Sequence, residues 1–156
     1  MKKAGLVSLF FIFISCGVQY IPVSVKPLEE TFEIKEQNKE LLFSKANSWL
    51  ALAFKSSKNI IQYSDKETGV ITGRFAIQPQ VTTNGYGLQK DNSLYSGIHI
   101  RVKDNAAKIA ISPEDFYEVH SSINKSYRFT KDTAIVKSQE LIASFKLYLQ
   151  KPIDNF

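Results

Sequence analysis

The amino-acid sequence predicts an α+β domain: an antiparallel sheet of about five strands with two main helices packed on one face, in the order strand, helix, four strands, helix. Three observations carry this prediction. Apolar residues alternate with period two in several short runs, they recur with helical spacing in two longer stretches, and turn-forming residues join the short runs as in hairpins. With 156 residues, 44% of them hydrophobic and 22% charged, the chain suits a single core and is too mixed for a disordered or collagenous protein.

Taken in order, Phe32 and Ile34 alternate with Thr31, Glu33 and Lys35 and open the first strand. Asn38 is a helix N-cap, after which Leu42, Ala46, Trp49, Leu50 and Ala53 form one stripe, widened by Phe43 and Phe54, of a helix over about 38 to 55. Ser56 to Asn59 end it, and residues 60 to 63 read as a second strand. The turn Asp65-Lys66-Glu67-Thr68-Gly69 leads into a third strand, 70 to 78, with Ile71, Gly73, Phe75 and Ile77 on the core side. In the fourth strand, 94 to 103, Ile98, Ile100 and Val102 point inward against His99, Arg101 and Lys103. Asp104-Asn105 turns the chain into a fifth strand through Ala107, Ile109 and Ile111. Ser112-Pro113-Glu114-Asp115 has the composition of a helix start, so a short helical turn is expected there. From Asp132 the helical spacing returns with Ser138, Leu141, Ile142, Phe145, Tyr148 and Leu149, until Pro152 ends it.

The N-terminus is of another character. Lys2 and Lys3 precede an apolar run from Leu6 to Ile14, too short for the roughly 20 residues that span a bilayer but suited to a secretory leader. The run leads to Ser15-Cys16-Gly17, which looks like a bacterial lipoprotein cleavage site, with Phe13 where an aliphatic residue is usual. On this reading residues 1–15 are a signal peptide, Cys16 carries lipid, 16–30 form an extended tether, 31–151 form the domain and 152–156 a tail. Cleavage leaves 141 residues and lowers the formal charge from +5 to +3. Gly17-Val18-Gln19 has neither the Asp that resembles an inner-membrane retention signal nor the acidic run that resembles a surface-export signal. The expected location is the periplasm-facing leaflet of the outer membrane, with the cell surface as the alternative.

Several groups of residues together carry a resemblance. Trp49, Ala53 and Phe54, the run Ile61-Gln62-Tyr63-Ser64-Asp65-Lys66-Glu67 with Gly69, Ile71 and Gly73, and Ile100-Arg101-Val102-Lys103-Asp104 leading to Phe116 are similar to a Bacteroidetes family. That family is a domain of unknown function with a TATA-box-binding-protein-like (TBP-like) fold, found largely in predicted lipoproteins. The likeness covers roughly residues 31 to 119; Asn105-Ala106-Ala107 and a longer polar segment over 79 to 93 depart from it. It implies a fold and a location, and no catalytic residues.

Chemistry must then be weighed from the residues themselves. One Cys and two His exclude an internal disulfide and disfavour structural zinc, so no metal or cofactor is expected. His99 with Ser96 or Asp104 invites a hydrolase reading, but Ser96 lies on the opposite face of the strand from His99. His120 beside Glu114 and Asp115 matches no metal spacing, and Asn84-Gly85-Tyr86-Gly87 lacks the Lys of a phosphate loop. The outward side of the sheet is more informative. Arg74, His99, Arg101, Lys103 and Lys108 make a basic face for an anionic ligand or an envelope protein. Nucleic acid is disfavoured as its partner by the low mature charge and the lack of paired aromatic wedges. A second candidate is the loop carrying Asn84, Tyr86 and Lys90, also explicable as an extended hairpin tip. A third is the apolar edge of the last helix at Ile135, Val136, Leu147 and Leu149. The sequence thus points to a lipid-anchored, non-enzymatic binding or assembly module, with a cell-wall hydrolase or a structural spacer as alternatives.

Overall fold

The computed structural model describes residues 18–54, 60–83, 85–120 and 129–152; Cys16, Asn84 and the remaining residues of the leader lie outside them. In chain order the elements are β1 (Gln19–Val23), β2 (Leu28–Glu33), α1 (Lys39–Ala53), β3 (Ile61–Asp65), β4 (Val70–Gln78), β5 (Val81–Thr83), β6 (Gln89–Asp91), β7 (Leu94–Lys103), β8 (Ala106–Pro113), β9 (Phe116–His120) and α2 (Lys131–Gln150). Five strands form one antiparallel sheet in the order β2-β8-β7-β4-β3. Strand β1 pairs with β9, and β5 pairs with β6. The run β3, β4, β7, β8 is a meander with the β5–β6 hairpin inserted, and β2 closes its far edge.

The strict alternation read in β4, β7 and β8 becomes the inner face of this sheet. Ile71, Phe75, Ile77, Ile98, Ile100, Val102, Ala107, Ile109 and Ile111 are all buried there. Both helices cover that same face, bringing Leu42, Ala46, Trp49 and Leu50 from α1 and Ile142, Phe145 and Leu149 from α2 into one core. Burying each large aliphatic side chain contributes about 1.5–3 kcal/mol, the main stabilising term. Trp49 packs edge-on against Phe145 with centroids 5.0 Å apart, and its indole N–H donates to the Ser144 hydroxyl at 3.1 Å. The large ring is thus accommodated without an orphaned donor.

Local chemistry fixes the ends of these elements. The Asn38 side chain accepts from Leu41 N at 2.9 Å and starts α1; Thr130 does the same for α2 from Thr133 N at 3.2 Å. The C-terminus of α2 has no basic residue in its last turn. Lys45 of α1 supplies the cation instead, its Nζ donating to the carbonyls of Leu149 at 2.9 Å and Lys151 at 2.6 Å. At the β3–β4 turn Gly69 has φ 69°, and a Cβ there would stand 2.3 Å from the Val102 carbonyl oxygen. Only glycine fits that approach, which lets Val102 N donate to Gly69 O at 2.8 Å.

Three expectations change. Ser112 to Asp115 do not start a helix: Ser112 and Pro113 end β8 opposite Gly97 and Ser96, and Glu114 N donates to Tyr95 O at 3.0 Å. The Glu114 carboxylate serves Arg74 rather than a helix dipole, and Phe116 opens a strand. The stretch 16–30 is not an extended tether throughout, because β1 occupies residues 19–23, Val25 is buried and β2 begins at Leu28. Ala53, assigned to the apolar stripe of α1, is exposed.

Candidate functional site

Side chains directly opposed on antiparallel strands share a face, so the register builds the outer surface of the sheet row by row. One row runs Thr72, His99, Ala110 and the next Val70, Arg101, Lys108, across β4, β7 and β8. Lys103 faces Ala106 in the row beyond, and Arg74 faces Gly97 on the other side. The five basic residues singled out in the sequence therefore do share one face, on rigid central strands.

Their charges are not equally available. Arg74 makes a two-pronged pair with Glu114, Nε donating to Oε1 and Nη2 to Oε2 at 2.8 Å, while its Cζ lies 3.7 Å from the Tyr95 ring centroid. This pairing raises the guanidinium pKa and lowers that of the Glu114 carboxyl. The Tyr95 hydroxyl in turn donates to Asp91, so Arg74, Tyr95, Glu114 and Asp91 form a closed structural cluster. Lys108 pairs with Glu29 at 2.9 Å. Arg101 and Lys103 have no acid within ion-pair distance among the described residues. His99 is held below its ordinary pKa by desolvation, then by the cations of Arg101 and Lys108. Among the described residues the face thus carries two uncommitted cations on one strand beside an imidazole whose charged form is disfavoured. Glu29 and Glu114 were not legible as neutralising partners, because the pairing of β2 with β8 and of β8 with β7 and β4 brings them beside Lys108 and Arg74 from far along the chain.

The other candidates are placed as follows. Ser96 is fully buried on the inner face, away from His99, and Asp104 accepts from Lys39 N at 2.7 Å. No three metal-binding side chains converge among the described residues. Tyr86 and Lys90 lie on the exposed β5–β6 hairpin, where Lys90 pairs with Thr82 across the ladder. On α2, Val136 and Leu147 are exposed while Leu149 is in the core. His120 ends β9. A concavity of about 690 Å³ that sequence reasoning missed lies between the end of α1, β4 and α2, lined mainly by apolar groups including Phe54, Ile60, Phe75 and Leu141. Among the described residues its one ammonium, Lys137, is already donating to Ile77 O and Gln78 Oε1 at 3.1 and 2.7 Å. Among the described residues no helix is long and apolar enough to cross a membrane.

Residues 29–116 match a family model described as a domain of unknown function (DUF4468) with TBP-like fold. A DUF4468 family protein from Bacteroides ovatus superposes with a TM-score of 0.50 at 13% identity, over 83% of this chain and 89% of that one. A TBP-like protein from Parabacteroides distasonis superposes with a TM-score of 0.51 at 14% identity, over 80% and 92% respectively. At these identities the likeness establishes the fold alone. No curated protein matches the sequence.

Proposed function

Because the chain belongs to the DUF4468 family, whose function is unknown, we propose from its own residues that it is a lipid-anchored envelope protein that binds an anionic partner on its open sheet face without catalysing a reaction. The supporting observation is the pair Arg101 and Lys103. They project from a central strand with no acid of their own among the described residues, whereas Arg74 and Lys108 of the same face are neutralised within the domain. Uncommitted cations on a central strand favour association with an acidic surface. Ser96, His99 and Asp104 do not converge on a common point, which favours binding over hydrolysis.

The test places a photo-activated crosslinking residue at Thr72, beside His99, in cells. We expect a specific adduct from the parent protein, reduced about tenfold or more in a variant carrying Arg101→Glu and Lys103→Glu. Arg74→Gln should leave the adduct in place, since that arginine is engaged with Glu114. Equal adducts in the parent and the doubly reversed variant would contradict the assignment.

A further inference from the structure

Strands β1 and β9 form a ribbon whose two sides differ sharply. Val23 and Phe116 oppose each other on the inner side, where Phe116 packs with Val25 and Ala134, and Glu118 accepts from Lys131 N at the start of α2. Ile21, on that same side near the ribbon's end, is 43% exposed. The outer side pairs Tyr20 with Val119 and Pro22 with Tyr117, and Val18 shares its parity. Tyr20 is 66%, Tyr117 64% and Val18 52% exposed, with Pro22 also exposed. Every described residue on that side of the ribbon is apolar or aromatic. Such a contiguous outward patch calls for a partner.

Resting on the lipid-anchor reading of Cys16, we propose that this patch, Val18, Tyr20, Pro22, Tyr117 and Val119, seats the domain in the interface of the bilayer that holds the anchor. Two links of chain separate Cys16 from Val18, a span of at most about 7 Å. The headgroup region of a leaflet is about 5–7 Å deep, so a lipid on Cys16 brings Val18 to that layer. Tyrosine suits this layer because its ring is apolar and its hydroxyl stays wet. The short link and the one-sided ribbon act together: the anchor supplies proximity and the patch supplies orientation. The domain then lies on the membrane by a defined side rather than swinging on a long leash.

The test uses the full chain, purified in detergent and reconstituted into phosphatidylcholine vesicles carrying headgroup nitroxide lipids. Tyr20→Trp and Tyr117→Trp each add an exposed reporter, Val81→Trp places one on the β5–β6 hairpin as control, and buried Trp49 serves as internal reference for an intact fold. We expect the nitroxide to quench the reporters at 20 and 117 at least about threefold more than the one at 81. Fatty-acid labelling of the same proteins, against Cys16→Ala, reads the anchor independently. Labelled protein without differential quenching overturns the seating and leaves the anchor standing. Unlabelled protein with differential quenching overturns the anchor and keeps the contact, and loss of both removes both. Protection from iodide without lipid quenching, rising with protein concentration, overturns the seating in favour of a second copy on the ribbon.

Discussion

Asp91 shows how one side chain ties an excursion of the chain to the sheet. Its carboxylate accepts from Ser93 N at 2.8 Å and from the Tyr95 hydroxyl. Hydrogen bonds from Ser93 first and Tyr95 next hold its pKa down at about 2, against an ordinary value of 3.8. A carboxyl depressed on folding stabilises the native state above its unfolded pKa, and that contribution disappears as pH falls from about 4 towards 2. Asp91→Asn should therefore be less stable than the parent at pH 6, with the gap closing across that acid window. Denaturant midpoints measured from pH 6 to pH 2 check this; a constant gap would show that the ionised form is immaterial. Gly69 and Asp65 make a related point about legibility. Their place in the turn was readable from sequence because Asp65 accepts locally, from Glu67 N at 2.8 Å and Thr68 Oγ1 at 2.7 Å. That Gly69 is also demanded by the Val102 carbonyl was not, since that contact comes from a strand more than thirty residues away.

Among the elements, α2 depends on a neighbour for its C-terminal charge. Lys45 reaches across from α1 to two carbonyls, and desolvation at that position lowers its pKa. Lys45→Met keeps the apolar stem and removes the cation. It should cost on the order of 1 kcal/mol and loosen the last turn of α2, read as faster hydrogen exchange about fivefold at Leu149 and Gln150. Unchanged exchange there would assign the end of α2 to packing alone. Elements that bury one face over eight or more residues, such as α1, β4, β7 and β8, left a clean period in the sequence. Strands β5 and β6 have three residues each and are exposed on both sides, so no alternation marks them. In β1 the pattern is obscured by Pro22, tolerated because that strand sits at a ribbon edge. The misread helix start at Ser112 arose from a real capping composition whose acid found an arginine instead of a helix.

For the molecule as a whole, regular structure is already present at β1, ahead of Thr31. Deleting residues 19–25 removes β1 and Val25 and uncovers Phe116 and Ala134, which a domain starting at Thr31 would leave intact. We expect that deletion to lower unfolding stability by about 2–4 kcal/mol, measured by denaturant titration against the undeleted chain; no change would return this segment to a passive linker. The sheet and its two helices were legible in the sequence as an architecture, and so was the basic face as a set of outward positions. Which of those cations are spent inside the domain was not, because Glu29 and Glu114 lie far from their partners in sequence. The pairing of the earliest strands also has a consequence for the order of events. Gln19 meets His120, and Leu28 meets Ile111, so neither β1 nor β2 has a ladder partner until more than two-thirds of the chain has been synthesised. Long-range pairing of this kind is slow to close. Strands β1 and β2, though early in the chain, are thus among the last to be immobilised, after β3, β4 and β7 have already been delivered.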